Sequence, residues 1–131
     1  MEQRSSRFEN EQLSELIIAA AMEVHSVMGP GLLESAYHDA LCYELENASL
    51  SFEREPYVPY RYKTIRIERV FRPDIIVSGS VILELKSVEK LLPVHDAQLL
   101  TYLKIAGLKT GLIFNFNTKF LKEGIRRIDR V

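Results

Sequence analysis

Apolar residues recur at helical spacing through Leu13, Leu16, Ile17, Ala20, Val24 and Val27, which predicts a helix from near Glu11 to Met28. Gly29-Pro30-Gly31 ends it, because glycine suits the position after a helix and proline cannot continue one. Residues 1–9 are expected to form a flexible N-terminus. A second helix is expected from about Leu32 to Asn47, with Gly31 as its N-cap and Glu34 at its third position. Phe52, Tyr57, Val58, Tyr60 and Tyr62 give the next stretch β character, and Pro56 and Pro59 make it an irregular or edge strand. Lys63-Thr64 turns the chain into a strand over residues 65–71. Two strongly apolar strands then flank the polar turn Ser78-Gly79-Ser80. A further helix is expected from about Val94 to Ala106, opened by Pro93 and closed by Gly107, with Leu99, Leu100 and Leu103 as its core stripe. Residues 110–116 are almost unbroken in apolar character, as in a strand buried on both faces and reached through a crossover helix. Residues 124–131 read as an edge strand whose arginines discourage further pairing. The order predicts an α/β fold. Its mixed four- to five-stranded sheet is antiparallel on the hairpin side, parallel after the crossover helix, and flanked by helices.

Three charges break this pattern. Asp74 opens one apolar strand, and Glu84 and Lys86 interrupt the next, between Leu83, Leu85 and Val88. A lone ion there costs several kcal/mol, so such groups are paired, protonated or bound to a metal. Side chains alternate along a strand, which puts Glu84 and Lys86 on one face. Opposed residues of an antiparallel hairpin share a face, and a three-residue loop at Ser78-Gly79-Ser80 sets Asp74 opposite Glu84. A two-residue turn would set Asp74 opposite Leu83, so the three-residue loop or an equivalent bulge is expected. Two carboxylates with an ammonium two residues along suit a hard cation, Mg²⁺ or Mn²⁺. In such a site Lys86 would orient a water or neutralise charge on phosphorus.

Composition narrows the setting. The chain has 131 residues, enough for one domain with a core, and a net charge of -1 that does not by itself advertise nucleic-acid binding. Arg54, Arg61, Lys63, Arg66, Arg69 and Arg72 are dense enough to make a basic groove, and equally read as the solvated face of a hairpin. Cys42 is the single cysteine, which excludes an internal disulfide and a cysteine-based zinc site. His25, His38 and His95 have no ligand spacing; His38 is expected at the surface or in helix packing, and His95 in a structural or rim role. No apolar run approaches a membrane span, and the first residues lack a signal-peptide core, so a cytoplasmic protein without membrane contact is expected.

Pro73-Asp74, nine residues, then Glu84-Leu85-Lys86 resembles the PD-(D/E)xK nuclease signature. Gly31-Leu32-Leu33-Glu34-Ser35-Ala36-Tyr37 is similar to the pattern of the GxxExxY family, in which that motif precedes a PD-(D/E)xK core in the same order. The resemblance spans the chain from the first helix to the last strand. It implies a restriction-endonuclease-like core of αβββαβ order, a metal-dependent nuclease, and a Mg²⁺ or Mn²⁺ cofactor. It implies Asp74, Glu84 and Lys86 as catalytic residues, with the Leu85 carbonyl as a third metal ligand. Glu34 is either a metal residue or a favourable charge at a helix N-terminus, and Tyr37 supports it as a half-buried aromatic. Gln98 and Tyr102 lie one helical turn apart on one flank and resemble pairs that face the site or the nucleic-acid backbone; the plainer account is a surface glutamine beside a packed tyrosine. Arg72 joins them as a substrate-binding candidate. The expected partner is nucleic acid, DNA ahead of RNA, with a homodimer or a protein partner left open because no second DNA-binding domain is read. A non-catalytic nucleic-acid- or protein-binding module on the same fold is the alternative, in which Lys86 pairs Glu84 or Asp74 as a structural ion cluster. Without a glycine-rich phosphate loop or cofactor fingerprint, other phosphoesterase or redox chemistry has little support.

Overall fold

The computed structural model describes the backbone of residues 2–131 and the side chains of residues 10–131; the expectation of a flexible segment over residues 1–9 falls outside the fully described residues. The elements in chain order are α1 (Glu2–Met28), α2 (Glu34–Asn47), β1 (Phe52–Arg54), β2 (Val58–Tyr62), β3 (Ile65–Phe71), β4 (Ile75–Val77), β5 (Val81–Lys86), α3 (Pro93–Ala106), β6 (Thr110–Asn115), a 3-10 turn (Leu121–Gly124) and β7 (Ile125–Asp129). Five strands form one sheet in the order β1-β4-β5-β6-β7, and β2 and β3 form a separate ribbon. Pairing is antiparallel except between β5 and β6, which run parallel on either side of α3. This is the mixed α/β fold expected, antiparallel on the hairpin side and parallel after the crossover helix. No described helix is long and apolar enough to cross a membrane.

Strand alternation divides the core in two. Leu83 and Leu85 of β5 turn with Ile75, Leu112 and Phe114 toward Ile17, Ala21, Leu41 and Leu45 of α1 and α2. Ile82 turns the other way, with Ile76 and Ile113, onto Leu99 and Leu103 of α3. Each such fully buried aliphatic side chain contributes roughly 1.5–3 kcal/mol. Glu84 and Lys86 share the parity of Ile82 and so stand on the α3 face.

Several expectations are corrected. Leu16 and Val27 of α1, and Leu100 of α3, are exposed, because each lies at the rim of a stripe whose centre alone meets the sheet. Gly31 is not an N-cap: its backbone turns left-handed at φ 94°, Leu33 caps α2, and Glu34 is the first helical residue. The stretch after Phe52 divides around Pro56, so that β1 becomes an edge of the main sheet while β2 leaves it, with Pro59 inside β2 at an irregularity of its pairing.

Candidate functional site

Pro73 is buried and carries the chain from β3 into β4, which leaves Asp74 at the mouth of the motif hairpin. β4 and β5 pair Ile75 with Leu83, Ile76 with Ile82 and Val77 with Val81. Ser78-Gly79-Ser80 is therefore the three-residue loop expected, and Ser78 (φ 52°) and Gly79 (φ 61°) both adopt the left-handed conformation that closes it. One step beyond the ladder, the same register sets Asp74 against Glu84. The backbone N–H of Asp74 donates to Glu84 Oε2 (2.9 Å), and that of Leu85 donates to Asp74 Oδ2 (2.7 Å). Each carboxylate thus takes a donor from the opposite strand, which fixes both heads at one end of the hairpin.

Electrostatics mark the same spot. Glu84 is only 7% exposed. Burial, and then the negative charge of Asp74, push its carboxyl up to about 7, against the opposing pull of the Asp74 N–H and Lys86. Burial also raises Asp74, while the Leu85 N–H, His38 and Lys86 lower it. Partial burial and then the charge of Asp74 raise Glu34, and Lys86 lowers it. The Tyr102 hydroxyl, on the α3 that covers this face of the sheet, is raised by burial and then by the charges of Glu84 and Asp74. Among the described residues Lys86 forms no salt bridge, so its half-buried ammonium neutralises the group from a distance.

Not every candidate meets there. Gln98 is exposed on α3 and makes no hydrogen bond among the described residues. Arg72 is bound to Glu55 through its backbone oxygen (3.0 Å) and carboxylate (3.1 Å) and stacks 4.8 Å from the Tyr57 ring. Tyr37 is fully buried rather than half-buried. Its hydroxyl donates to the Gly29 carbonyl (2.6 Å) and accepts from the Leu32 N–H (3.1 Å), and its ring stacks on Phe116 at 4.5 Å. It therefore clamps the turn that delivers Glu34. His95 accepts from the Leu92 N–H (2.9 Å) at the start of α3, a structural task.

Two residues matter beyond what was expected of them in sequence. Asn115 is buried at the end of β6, beside Lys86 in the parallel pair. Its side chain accepts from the Val88 N–H (3.1 Å) and donates to the Val88 carbonyl (2.9 Å), holding the strand just past Lys86. A polar residue closing an apolar run was the available signal. His38 is 6% exposed, with Nδ1 3.8 Å from Glu55 and Nε2 without a partner, and its charge bears on Asp74. Its spacing to Glu34 was the only hint.

The donor set suits a divalent ion of oxygen preference: two carboxylates that repel one another, one of them pushed up to about 7 by burial and by its neighbour's charge. Among the described residues no three His, Cys, Asp or Glu side chains converge to hold a metal alone, so backbone oxygen or water has to complete the shell. A family model described as the PD-(D/E)XK nuclease superfamily matches residues 11–128. Neither the curated proteins nor the solved structures compared with the chain gave a match.

Proposed function

The chain belongs to the PD-(D/E)XK nuclease superfamily, and from that premise we propose that it is a metal-dependent nuclease that hydrolyses phosphodiester bonds in DNA or RNA. The observation that carries the proposal is the in-register pair of Asp74 and Glu84, backbone-tethered on one face with Lys86 two residues on. In this reading Asp74, Glu84 and the Leu85 carbonyl would hold Mg²⁺ or Mn²⁺, and Glu34, which does not converge with the pair, would join the shell from α2 through a water. A divalent ion held there would supply Lewis-acid polarisation of a phosphoryl oxygen and a more acidic water. Lys86 positions the attacking water and offsets negative charge as it grows on the phosphate. Tyr102, Gln98 and Arg72 contact the substrate strand, and Tyr37 holds the turn before Glu34. Membership of the GxxExxY family, through Gly31, Glu34 and Tyr37, belongs to the same proposal. So do a single working domain over residues 1–131, a cytoplasmic place, DNA ahead of RNA as substrate, and action as a homodimer or with a protein partner.

The test is a panel of DNA and RNA substrates incubated with Mg²⁺ or Mn²⁺. Wild type is expected to cut at least one of them and to stop when the metal is chelated. Lys86→Ala is expected to lower the rate by about 10²–10⁴-fold, the range of a positioned proton-transfer or charge-stabilising group. Equal behaviour of the two proteins contradicts the assignment. A second reading, a non-catalytic binding module, draws on the lack of a three-side-chain metal cluster among the described residues. It predicts no calorimetric signal for Mg²⁺ or Mn²⁺ at millimolar concentration.

A further inference from the structure

We infer that the β2–β3 ribbon is an arm that enters the major groove of duplex DNA beside the carboxylate pair. The inference rests on the nuclease reading and adds to it the element that grips the substrate and the form of substrate gripped.

Every residue from Arg61 to Val70 is exposed. A two-stranded ribbon open to water on its flanks is marginal by itself, and this one is held only at its base. There Val58 is buried in the α3 core, and Phe71 stacks on Tyr102 at 4.1 Å with the rings 13° apart. Tyr57 lies against two guanidinium groups, 4.5 Å from Arg69 and 4.8 Å from Arg72. Pro73 and Asp74 follow Arg72 without a break, so the base of the ribbon lies next to the hairpin mouth and its tip reaches away from it along the path of a bound duplex.

The charge is segregated. Residues 57–72 hold five basic side chains against one acid, a local balance of +4 in a chain whose total is -1, which leaves -5 for the remainder. Of these five, Arg66 pairs with Glu68 at 2.7 Å and Arg72, at the base, with Glu55 at 3.1 Å, while Arg61, Lys63 and Arg69 have no acidic partner among the described residues. Arg61 stands directly opposite Arg66 in the antiparallel register. Like charges so placed oppose folding, and an anion shared between them reverses the effect. On the other ribbon face, cross-strand pairing groups Tyr60 and Tyr62 with Ile65 and Ile67, and Tyr62 and Ile65 are about half exposed. Basic groups for phosphate and apolar groups for thymine methyls thus share one narrow element. The major groove of B-form DNA, about 12 Å wide, admits a two-stranded ribbon. The deep, narrow groove of A-form RNA does not.

Fluorescence anisotropy in chelator separates this arm from the metal site. The probes are a DNA duplex of about two helical turns, an RNA duplex of the same sequence, and single-stranded DNA. The variant is Arg61→Gln/Lys63→Gln/Arg66→Gln, with circular dichroism to check the fold. Wild type is expected to bind the DNA duplex at least tenfold more tightly than the RNA duplex. The variant is expected to lose about three phosphate contacts, so that the slope of log affinity on log salt falls by about 2–3. Unchanged affinity and slope in the folded variant, preference for duplex RNA, or no DNA binding by wild type overturns the inference. If wild type cleaves in a Lys86-dependent manner while its binding ignores the ribbon charges, the arm fails and the nuclease reading stands. If the ribbon charges govern binding while Lys86→Ala leaves cleavage unaltered, the arm stands and the nuclease reading fails.

Discussion

Asp74 and Glu84 anchor one another's strands: the Asp74 N–H donates to the Glu84 carboxylate, and the residue after Glu84 donates back to the Asp74 carboxylate. The arrangement holds two acids side by side with no salt bridge among the described residues, and burial, then the charge of Asp74, pushes the Glu84 carboxyl up to about 7.

The Glu84 proton gives opposite pH dependences to stability and metal binding. Between about pH 4.5 and 7 the native chain retains a proton on Glu84 that the unfolded chain has lost. Stability of the metal-free protein should therefore fall as pH rises through that window and level off above it. A bound divalent ion displaces the proton, so its affinity should climb with pH, by up to about tenfold per unit, and flatten above about 7. Glu84→Gln should remove this contribution to both slopes. Thermal melts in chelator and calorimetric titrations across the range measure the two effects. A Glu84→Gln protein that keeps the wild-type slopes assigns the proton to another group.

Lys86 is half-buried and forms no salt bridge among the described residues, so Lys86→Met should fold with little change in stability. Divalent affinity should weaken, since a positive charge helps hold Asp74 and Glu84 ionised, but without loss of the 1:1 site. Hydrolysis should fall far more than binding. Parallel titration and cleavage assays make the comparison; equal losses in the two would reduce Lys86 to a supporting charge.

Tyr37→Phe keeps the stacked ring and removes the hydroxyl that joins Gly29 to Leu32. Two backbone groups lose their partner, and a cost of about 1–3 kcal/mol is expected. Chemical denaturation reads it. A neutral result would mean that water reaches the turn and replaces the hydroxyl.

Asn115→Ala strips its two hydrogen bonds from the Val88 backbone at a buried position. The Val88 carbonyl keeps the Asn117 amide (3.4 Å) while the Val88 N–H is left unmet, so destabilisation of about 1–3 kcal/mol is expected. Hydrogen exchange at Val88 should quicken before that of the β5 interior. Uniform quickening across β5 and β6 would indicate a global rather than a local role.

The motif hairpin was legible because strand alternation has period two, so a count of loop residues fixes which acids meet. The buried β6 run and the Pro93 start of α3 were legible for similar reasons: apolar continuity and a fixed proline dihedral are local properties. Exposure of Leu16, Val27 and Leu100 was not, because helical spacing identifies a stripe without saying how much of its width a sheet covers. Nor was the departure of β2 from the main sheet. Pro56 and Pro59 announce an interruption, but which edge receives the next strand depends on distant partners. Tyr37, His38 and Asn115 share this limit, since each is defined by contacts outside its own element.

Diffraction from crystals soaked in Mn²⁺ addresses the central claim most directly. The account predicts an anomalous peak within direct coordination distance, about 2.0–2.3 Å, of carboxylate oxygens from both Asp74 and Glu84. A fully soaked crystal with no peak there, or with manganese held elsewhere and these two carboxylates unchanged, would contradict it.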